Sequence, residues 1–560
     1  TFTVIAALLP LAFVSGLMGP YMRPIPINAS AAMLFSLVVA FVVSPWLTFR
    51  LFKKHAQEMV EHAGEEGPEG ASGHGKSHGI SEEPWLVRRY AHLFRPLLHH
   101  AWRRWALLAA VALLLVGSIS LVLLRVVKVK MLPYDNKSEV QVIVDMPEGS
   151  TLEETAAVAR NLAATARTLP EVTDVQVYTG TSAPFNFNGL VRHYFLRSGP
   201  TVADLQINLL PKHHRDRASH PFAKELRDLL QPVVEGTGAN VKVTEVPPGP
   251  PVLSTLVAEV YGPDLDRRVA LAQEVREIFS STPGVVDVDW WIEDPAPKLE
   301  VEVDREKAAR AGVSPEVVAR TLRVALGGTE AGLLRDEHSR EPVPLMLRLD
   351  RSQRSSVDGL LDLRVHGAGG AMVPLRELVR AEPAKRERFI YHKNLQPVSY
   401  VVAEVAGGAE SPVYGVLDMR ERIGQLTDPS GAPLTVLSST MPEDSTGYAL
   451  KWDGEWQITI EVFRDMGIAF AVVLVLIYVL VVGWFRSFIT PFIIMAPIPL
   501  TLIGILPAHA LGGVFFTATS MIGYIALAGI IVRNSILLVD FINLELACGE
   551  KLEEAVIKGG

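Results

Sequence analysis

An arginine, an asparagine and an aspartate sit inside an apolar run near the end of the chain: Arg533, Asn534 and Asp540 within Ser520–Phe541. A run of this length can cross the apolar core of a bilayer, which needs about 20 residues. A charge at the centre of such a helix costs about 3 kcal/mol or more, so it marks a functional site by default. Arg533 and Asp540 are seven residues apart, and at about 100° per residue they share nearly one helix face. Arg533 lies ~15 Å from the helix end, a long way for its side chain to snorkel, whereas Asp540 is close to that end. The chemistry expected of this face is a proton- or ion-coupled charge network, with Arg533, Asn534 and Asp540 as its proton-coupling residues.

Other residue sets are weaker. Trp290 and Trp291 could line an apolar substrate cleft, although strand alternation sends one of the pair toward a core. His55, His62, His74, His78, His92, His99 and His100 cluster in sequence, but a Gly/Glu/His-rich loop supplies no fixed coordination geometry, so no metal site is expected. Met146, Met346, Met372, Met419 and Met441 would suit a soft metal only if the fold brought them together. Gly73–Ser77 lacks the strand and glycine spacing of a phosphate loop. No catalytic set stands out, and no cofactor is expected.

These residues need a membrane scaffold. The 560-residue chain is 49% hydrophobic and 20% charged, with a mean hydropathy of +0.25, and the two populations are segregated. Residues 1–54 hold two spans, 55–103 a His/Gly/Glu-rich linker and an amphipathic surface helix, and 104–127 a third span. Residues 128–465 read as soluble protein, 466–545 as three further spans, and 546–560 as the start of another segment. Lys53, Lys54, Arg88, Arg89, Arg103 and Arg104 place the 50–104 loop in the cytoplasm by the positive-inside rule, and so put 128–465 on the other side. A net charge of −8 without a basic tract argues against nucleic acid, and the single Cys548 excludes a disulfide framework. Both ends read as internal to a longer protein.

The soluble region repeats itself. A strand at 139–145, a helix at 151–168 and a Val-x-Asp-Val strand ending at Val177 match a strand at 256–261, a helix at 264–280 and a Val-x-Asp-Val strand ending at Trp290. Further strands are expected at 299–304, 344–349 and 398–405, with a helix at 315–326. The fold class is therefore a six-span membrane α-helical bundle with an α+β exterior domain built from ferredoxin-like β-α-β repeats.

Leu8–Leu17, Met131–Glu139 and Gly529–Phe541 together resemble a resistance–nodulation–division (RND) efflux permease, here from about the fifth to the tenth spanning helix. The resemblance implies a homotrimer in the inner membrane of a Gram-negative bacterium, with a periplasmic porter and docking domain to which residues near 185–251 contribute docking structure. It implies a periplasmic adaptor and an outer-membrane channel as partners. Arg533 takes the position of a lysine whose acidic partners lie on the fourth helix, outside this chain. An arginine stays charged, so it would act as a counter-charge while carboxylates carry the protons. The leading expectation is proton-driven export of a hydrophobic or amphiphilic small-molecule substrate. A heavy-metal exporter is the alternative, and a membrane scaffold or sensor the second.

Overall fold

The computed structural model describes residues 2–64, 85–407 and 410–560. The chain forms two compact units: one runs to Ile292 and resumes at Ile390, and the other is Glu293–Phe389.

Among the described residues of the first unit five helices are long and apolar enough to cross a membrane. They are α1 (Gly19–Leu51), α2 (Ala101–Leu123), α3 (Glu455–Phe485), α4 (Thr490–Gly512) and α5 (Ala518–Ala547). The span expected at 2–19 is a shorter apolar helix, Phe2–Phe13. Proline lacks the backbone N–H a helix needs, and at Pro10 the α-helix gives way to a 3₁₀ turn, Leu9–Phe13. The proline-rich stretch between the first two apolar runs is helical, because Pro24 and Pro26 fall in the opening turn, where proline is tolerated.

A seam of Ile458, Val462, Met466, Ala469, Val473, Ile477 and Val481 runs down α3 at helical spacing and buries against Val4, Ala7, Leu11 and the Ile525–Ala528–Val532 stripe of α5. Gly529 lets the Phe2–Leu8 helix close on α5, since a Cβ there would lie 2.8 Å from Ala7 Cβ. Large apolar side chains such as Phe35, Phe41, Leu113 and Leu123 face outward on α1 and α2. An amphipathic helix, Trp85–His99, precedes α2 and is tied to the C-terminal helix by Arg95–Glu554 at 3.0 Å and His99–Glu553 at 2.9 Å.

The α/β part of this unit has two sheets. The first contains β1 (Glu139–Asp145), β2 (Val172–Thr181), β3 (Ser198–Leu209) and β4 (Asn240–Thr244) in the order β2-β3-β1-β4, all antiparallel. Helices Leu152–Ala166 and Ser219–Val234 cover it through Val142, Val144, Leu162, Leu205, Phe222 and Leu226. Residues 185–251, expected to contribute docking structure, include β3 and β4 of this sheet, because the pattern of Val202–Leu209 pairs directly with β1.

The second sheet has β5 (Leu256–Tyr261) at its centre, flanked by β7 (Gln396–Val405) and β8 (Ala449–Gly454), with β6 (Val285–Trp290) also on β7. Every residue of β5 is buried, because helix Leu265–Ser280 covers one face and Tyr261, Val398 and Tyr400 pack on the other. Strand β8 passes directly into α3 at Gly454, which adopts φ 74° and ψ −147°. Only glycine suits that conformation, and a Cβ would meet the Ser254 carbonyl oxygen at 2.5 Å.

The second unit pairs Pro297–Val303 with Val379–Lys385 and Thr329–Leu334 with Val343–Leu347, around a small core of Val313, Val318, Val365 and Leu375.

Candidate functional site

Arg533, Asn534 and Asp540 are all exposed on α5. Arg533 and Asp540 fall on one flank of the buried Ile525–Ala528–Val532 stripe, ~20° apart around the axis. Among the described residues none of the three has a hydrogen-bond or ion-pair partner.

Helix α3 carries a polar ladder absent from the sequence expectations. Lys451 on β8 donates to Gln457 at 2.8 Å, Gln457 donates to Glu461 at 2.8 Å, and one turn further Asp465 accepts from the Ser15 backbone N–H at 3.0 Å and from its hydroxyl. The i, i+4, i+8 spacing of 457, 461 and 465 was the available signal. The ladder begins at a buried cluster in which Glu259 meets Lys451 at 3.0 Å and Lys393, and Asp453 also meets Lys393. Burial alone would raise the Asp453 carboxyl, but its bonded neighbours, Lys451 and Lys393 hold it well below the usual range.

The two sheets of this unit meet across a charged seam. Arg192 bonds Glu404, which also accepts from Ser254 at 2.9 Å and from Thr255. Arg227 grips Asp287 at 2.7 Å, Lys242 joins Asp145 at 2.7 Å and also Asp289, and Lys224 reaches Glu410 at 2.7 Å. Burial opposes ionisation of Glu404, yet Arg192 and the two hydroxyls keep its carboxyl low; Lys242 and Arg197 do the same for Asp145. At Asp287 burial wins and the carboxyl is raised despite Arg227.

Below the seam, Lys130, Tyr134, His220, Glu245, Glu404 and Glu455 line a cavity of ≈ 50 Å³. Burial lowers the Lys130 ammonium, whose nitrogen stands 3.2 Å from the Tyr134 ring centroid. Oε1 of Glu455 is buried with no hydrogen-bond partner among the described residues.

The two candidate tryptophans part company. Trp290 packs on the core of the second sheet under the Arg276 guanidinium, 4.8 Å from its ring. Trp291 joins Tyr400, Tyr391 and His193 at 4.9, 5.4 and 5.5 Å and lines a second cavity of ≈ 20 Å³ beside Arg192, Lys242 and Asp289. Cavities of this size hold waters or a bare ion, whereas organic ligands occupy about 300–1,000 Å³.

Among the described residues no three His, Cys, Asp or Glu side chains are grouped to hold a metal ion. Met419 is in the core of the second sheet, Met146 packs on that of the first, and Met441 accepts from the Tyr261 hydroxyl at 3.5 Å. Met346 and Met372 belong to the Glu293–Phe389 unit. Of the histidine cluster, His74 and His78 and the side chains of His55 and His62 lie outside the described residues; His92, His99 and His100 are exposed.

The chain is 25% identical over 425 residues to the nickel and cobalt resistance protein CnrA of Cupriavidus metallidurans, a match covering 73% of this chain and 36% of that protein. It is 22% identical over 493 residues to the cobalt-zinc-cadmium resistance protein CzcA of the same organism, covering 85% and 43%. A multidrug resistance protein, MdtC of Pantoea ananatis, is 22% identical over 548 residues, covering 97% and 48%. The fold superposes on a crystal structure of a heavy metal efflux pump with a TM-score of 0.74 at 22% identity, covering 100% of this chain and 51% of that one. The chain thus spans about a third to a half of the length of these relatives. Relatives named for metal resistance overturn the expectation of an exporter of hydrophobic or amphiphilic compounds. The AcrB/AcrD/AcrF family matches over residues 1–560, and the chain belongs to that family of RND permeases, which are transporters rather than enzymes.

Proposed function

We propose that the protein containing this chain exports heavy-metal cations of the nickel, cobalt, zinc and cadmium group across the cell envelope. The observation that carries this reading is the similarity to CnrA and CzcA, across 73% and 85% of the chain. The scattered methionines favour divalent cations over Cu(I), which prefers several convergent thioethers.

In this reading the protein is a multi-pass inner-membrane permease, working as a homotrimer with a periplasmic adaptor and an outer-membrane channel. Phe2–Phe13 is part of a sixth crossing. The α/β part, residues 128–465, is periplasmic, and both sheets belong to split β-α-β repeats. Arg533 serves as the fixed counter-charge of a proton relay, with Asn534 and Asp540 beside it and the proton-carrying carboxylates on a helix outside this chain.

The test is expression of the full-length protein in a host stripped of its own metal exporters. Tolerance should rise for nickel, cobalt, zinc or cadmium and stay unchanged for dyes and detergents. Arg533→Ala should abolish the gain, and a gain confined to copper or silver would overturn the divalent assignment.

A further inference from the structure

His509 is the one titratable side chain within α4, and it stands where α4 ends against the start of α5. Its Nδ1 lies 2.8 Å from the Ile505 carbonyl oxygen. A carbonyl only accepts, so Nδ1 carries a proton and donates it. In the neutral ring Nε2 is then an acceptor, and it receives the Ser520 hydroxyl at 2.9 Å.

Ser520 is itself half of the cap that starts α5. Its Oγ accepts from the Thr517 N–H at 3.2 Å, while the Ser520 N–H donates to Thr517 Oγ1 at 3.4 Å. Thr517 Oγ1 lies 3.2 Å from Ser520 Oγ and 2.7 Å from the hydroxyl of the exposed Thr519. The ring therefore opens onto a short chain of hydroxyls that reaches the surface.

We propose that His509 is a proton-accepting positioning residue of the transport cycle, which reports the proton state outside the membrane to the helix that carries Arg533. A proton added at Nε2 reverses the His509–Ser520 bond, so the imidazolium now donates to Ser520 Oγ. The Ser520 hydroxyl hydrogen turns to Thr517 Oγ1, and the capping bonds from both backbone N–H groups survive. No bond to carbon is made or broken, and the proton comes from water at Thr519.

The new charge faces the N-terminus of a 30-residue helix, where the helix dipole repels cations. Among the described residues no carboxylate is within ion-pair range to offset it. The cations near this point have carboxylates of their own, with Glu455 and Glu410 acting on Lys130. Arg125 at the end of α2 pairs with Asp418 at 2.9 Å, and Lys128 and Lys130 flank the strand bridge to Phe516. Arg103 and Arg104 lie at the opposite end of α2. Protonation thus favours an arrangement in which the α4 end and the α5 start stand further apart. Thirteen residues, or ~20 Å, separate Ser520 from Arg533 along α5.

This inference rests on the proton-driven reading above, and two measurements separate their failures. In proteoliposomes of the full-length permease, metal transport is followed while the pH on the His509 side is varied between about 5 and 8, the range in which histidine ordinarily titrates. The wild-type rate should change by about fivefold or more across that range, and His509→Gln should retain transport with a clearly smaller change, leaving only the dependence on the gradient itself. Arg533→Ala should lose transport at every pH. A His509→Gln profile that follows the wild type overturns the proposal. In parallel, amide hydrogen exchange over residues 517–524 of the purified permease, corrected for intrinsic rates, should shift with pH in the wild type and stay constant in His509→Gln. Equal pH responses in the two proteins overturn it as well, including where transport itself proves independent of the proton gradient.

Discussion

Removing the cation from the Arg192–Glu404 pair should loosen the seam between the two sheets by an amount the structure allows one to work out. Arg192 is 5% exposed and Glu404 17%. In Arg192→Met the guanidinium goes and Glu404 keeps only the hydroxyls of Ser254 and Thr255. Breaking a buried pair from one side typically costs 3–5 kcal/mol. The partial exposure of Glu404 and its two remaining donors place the expected cost at the low end, about 3 kcal/mol. In Arg192→Met/Glu404→Met no charge is stranded, and Ser254 still donates to the Ala403 carbonyl at 2.8 Å. The double variant should therefore cost only about 1 kcal/mol. Denaturant unfolding of the full-length protein, followed by tryptophan fluorescence for wild type, both singles and the double, yields the coupling. Glu404→Met strands the more deeply buried Arg192 at a similar cost of about 3 kcal/mol, so a coupling near 5 kcal/mol is expected, and one below about 0.5 kcal/mol would refute the pair as a tie across the seam.

Other outcomes follow from the same contacts. Gly454→Ala forces a Cβ to 2.5 Å from the Ser254 carbonyl in a conformation alanine avoids; it should destabilise by about 3 kcal/mol, read as a lowered thermal midpoint. Gly529→Val drives a side chain into Ala7 and should cost about 2 kcal/mol, whereas the same change at the open Gly523 should be tolerated. The folded-state carboxyl of Glu404 is depressed, so its contribution is present above the unfolded pKa and lost as pH falls through the folded one. Glu404→Gln should accordingly be destabilised at pH 7, and its gap to the wild type should narrow on acidification below about pH 4.5, measured by unfolding at a series of pH values.

What could be read from the chain depended on how local the signal was. The helices and strands of the two repeated segments were legible because alternation and the Leu-Pro and Thr-Pro turns lie within about forty residues of sequence. Arg533 drew notice because a charge stands out in an apolar run. The charged seam was not, since Arg192 and Glu404 are 212 positions apart and each looks like an ordinary surface residue. The same holds for Ser15 and Asp465, 450 positions apart. Trp290 and Trp291 pack on different buried clusters of the second sheet, as alternation along a strand would arrange them. Hydropathy averages over Pro10, while the backbone does not, so the helix that stands there, Phe2–Phe13, is shorter than its apolar run. His509 was overlooked because the Thr517-x-x-Ser520 cap that gives it meaning follows eight residues later in a separate helix.

The direct passage of β8 into α3 also sets a constraint on chain length. There is no spare residue at Gly454, with the strand paired up to that residue and the helix beginning at the next. One inserted residue would rotate everything beyond it by about 100° and advance it by about 1.5 Å. Ile458, Val462 and Met466 would leave the buried seam, Gln457 would turn away from Lys451, and Asp465 would turn away from Ser15. Substitutions along α3 can be absorbed one at a time, but an insertion or deletion at this joint shifts the phase of the whole helix. Tolerated length changes should therefore be found in the loops between the sheets and be absent from residues 449–460.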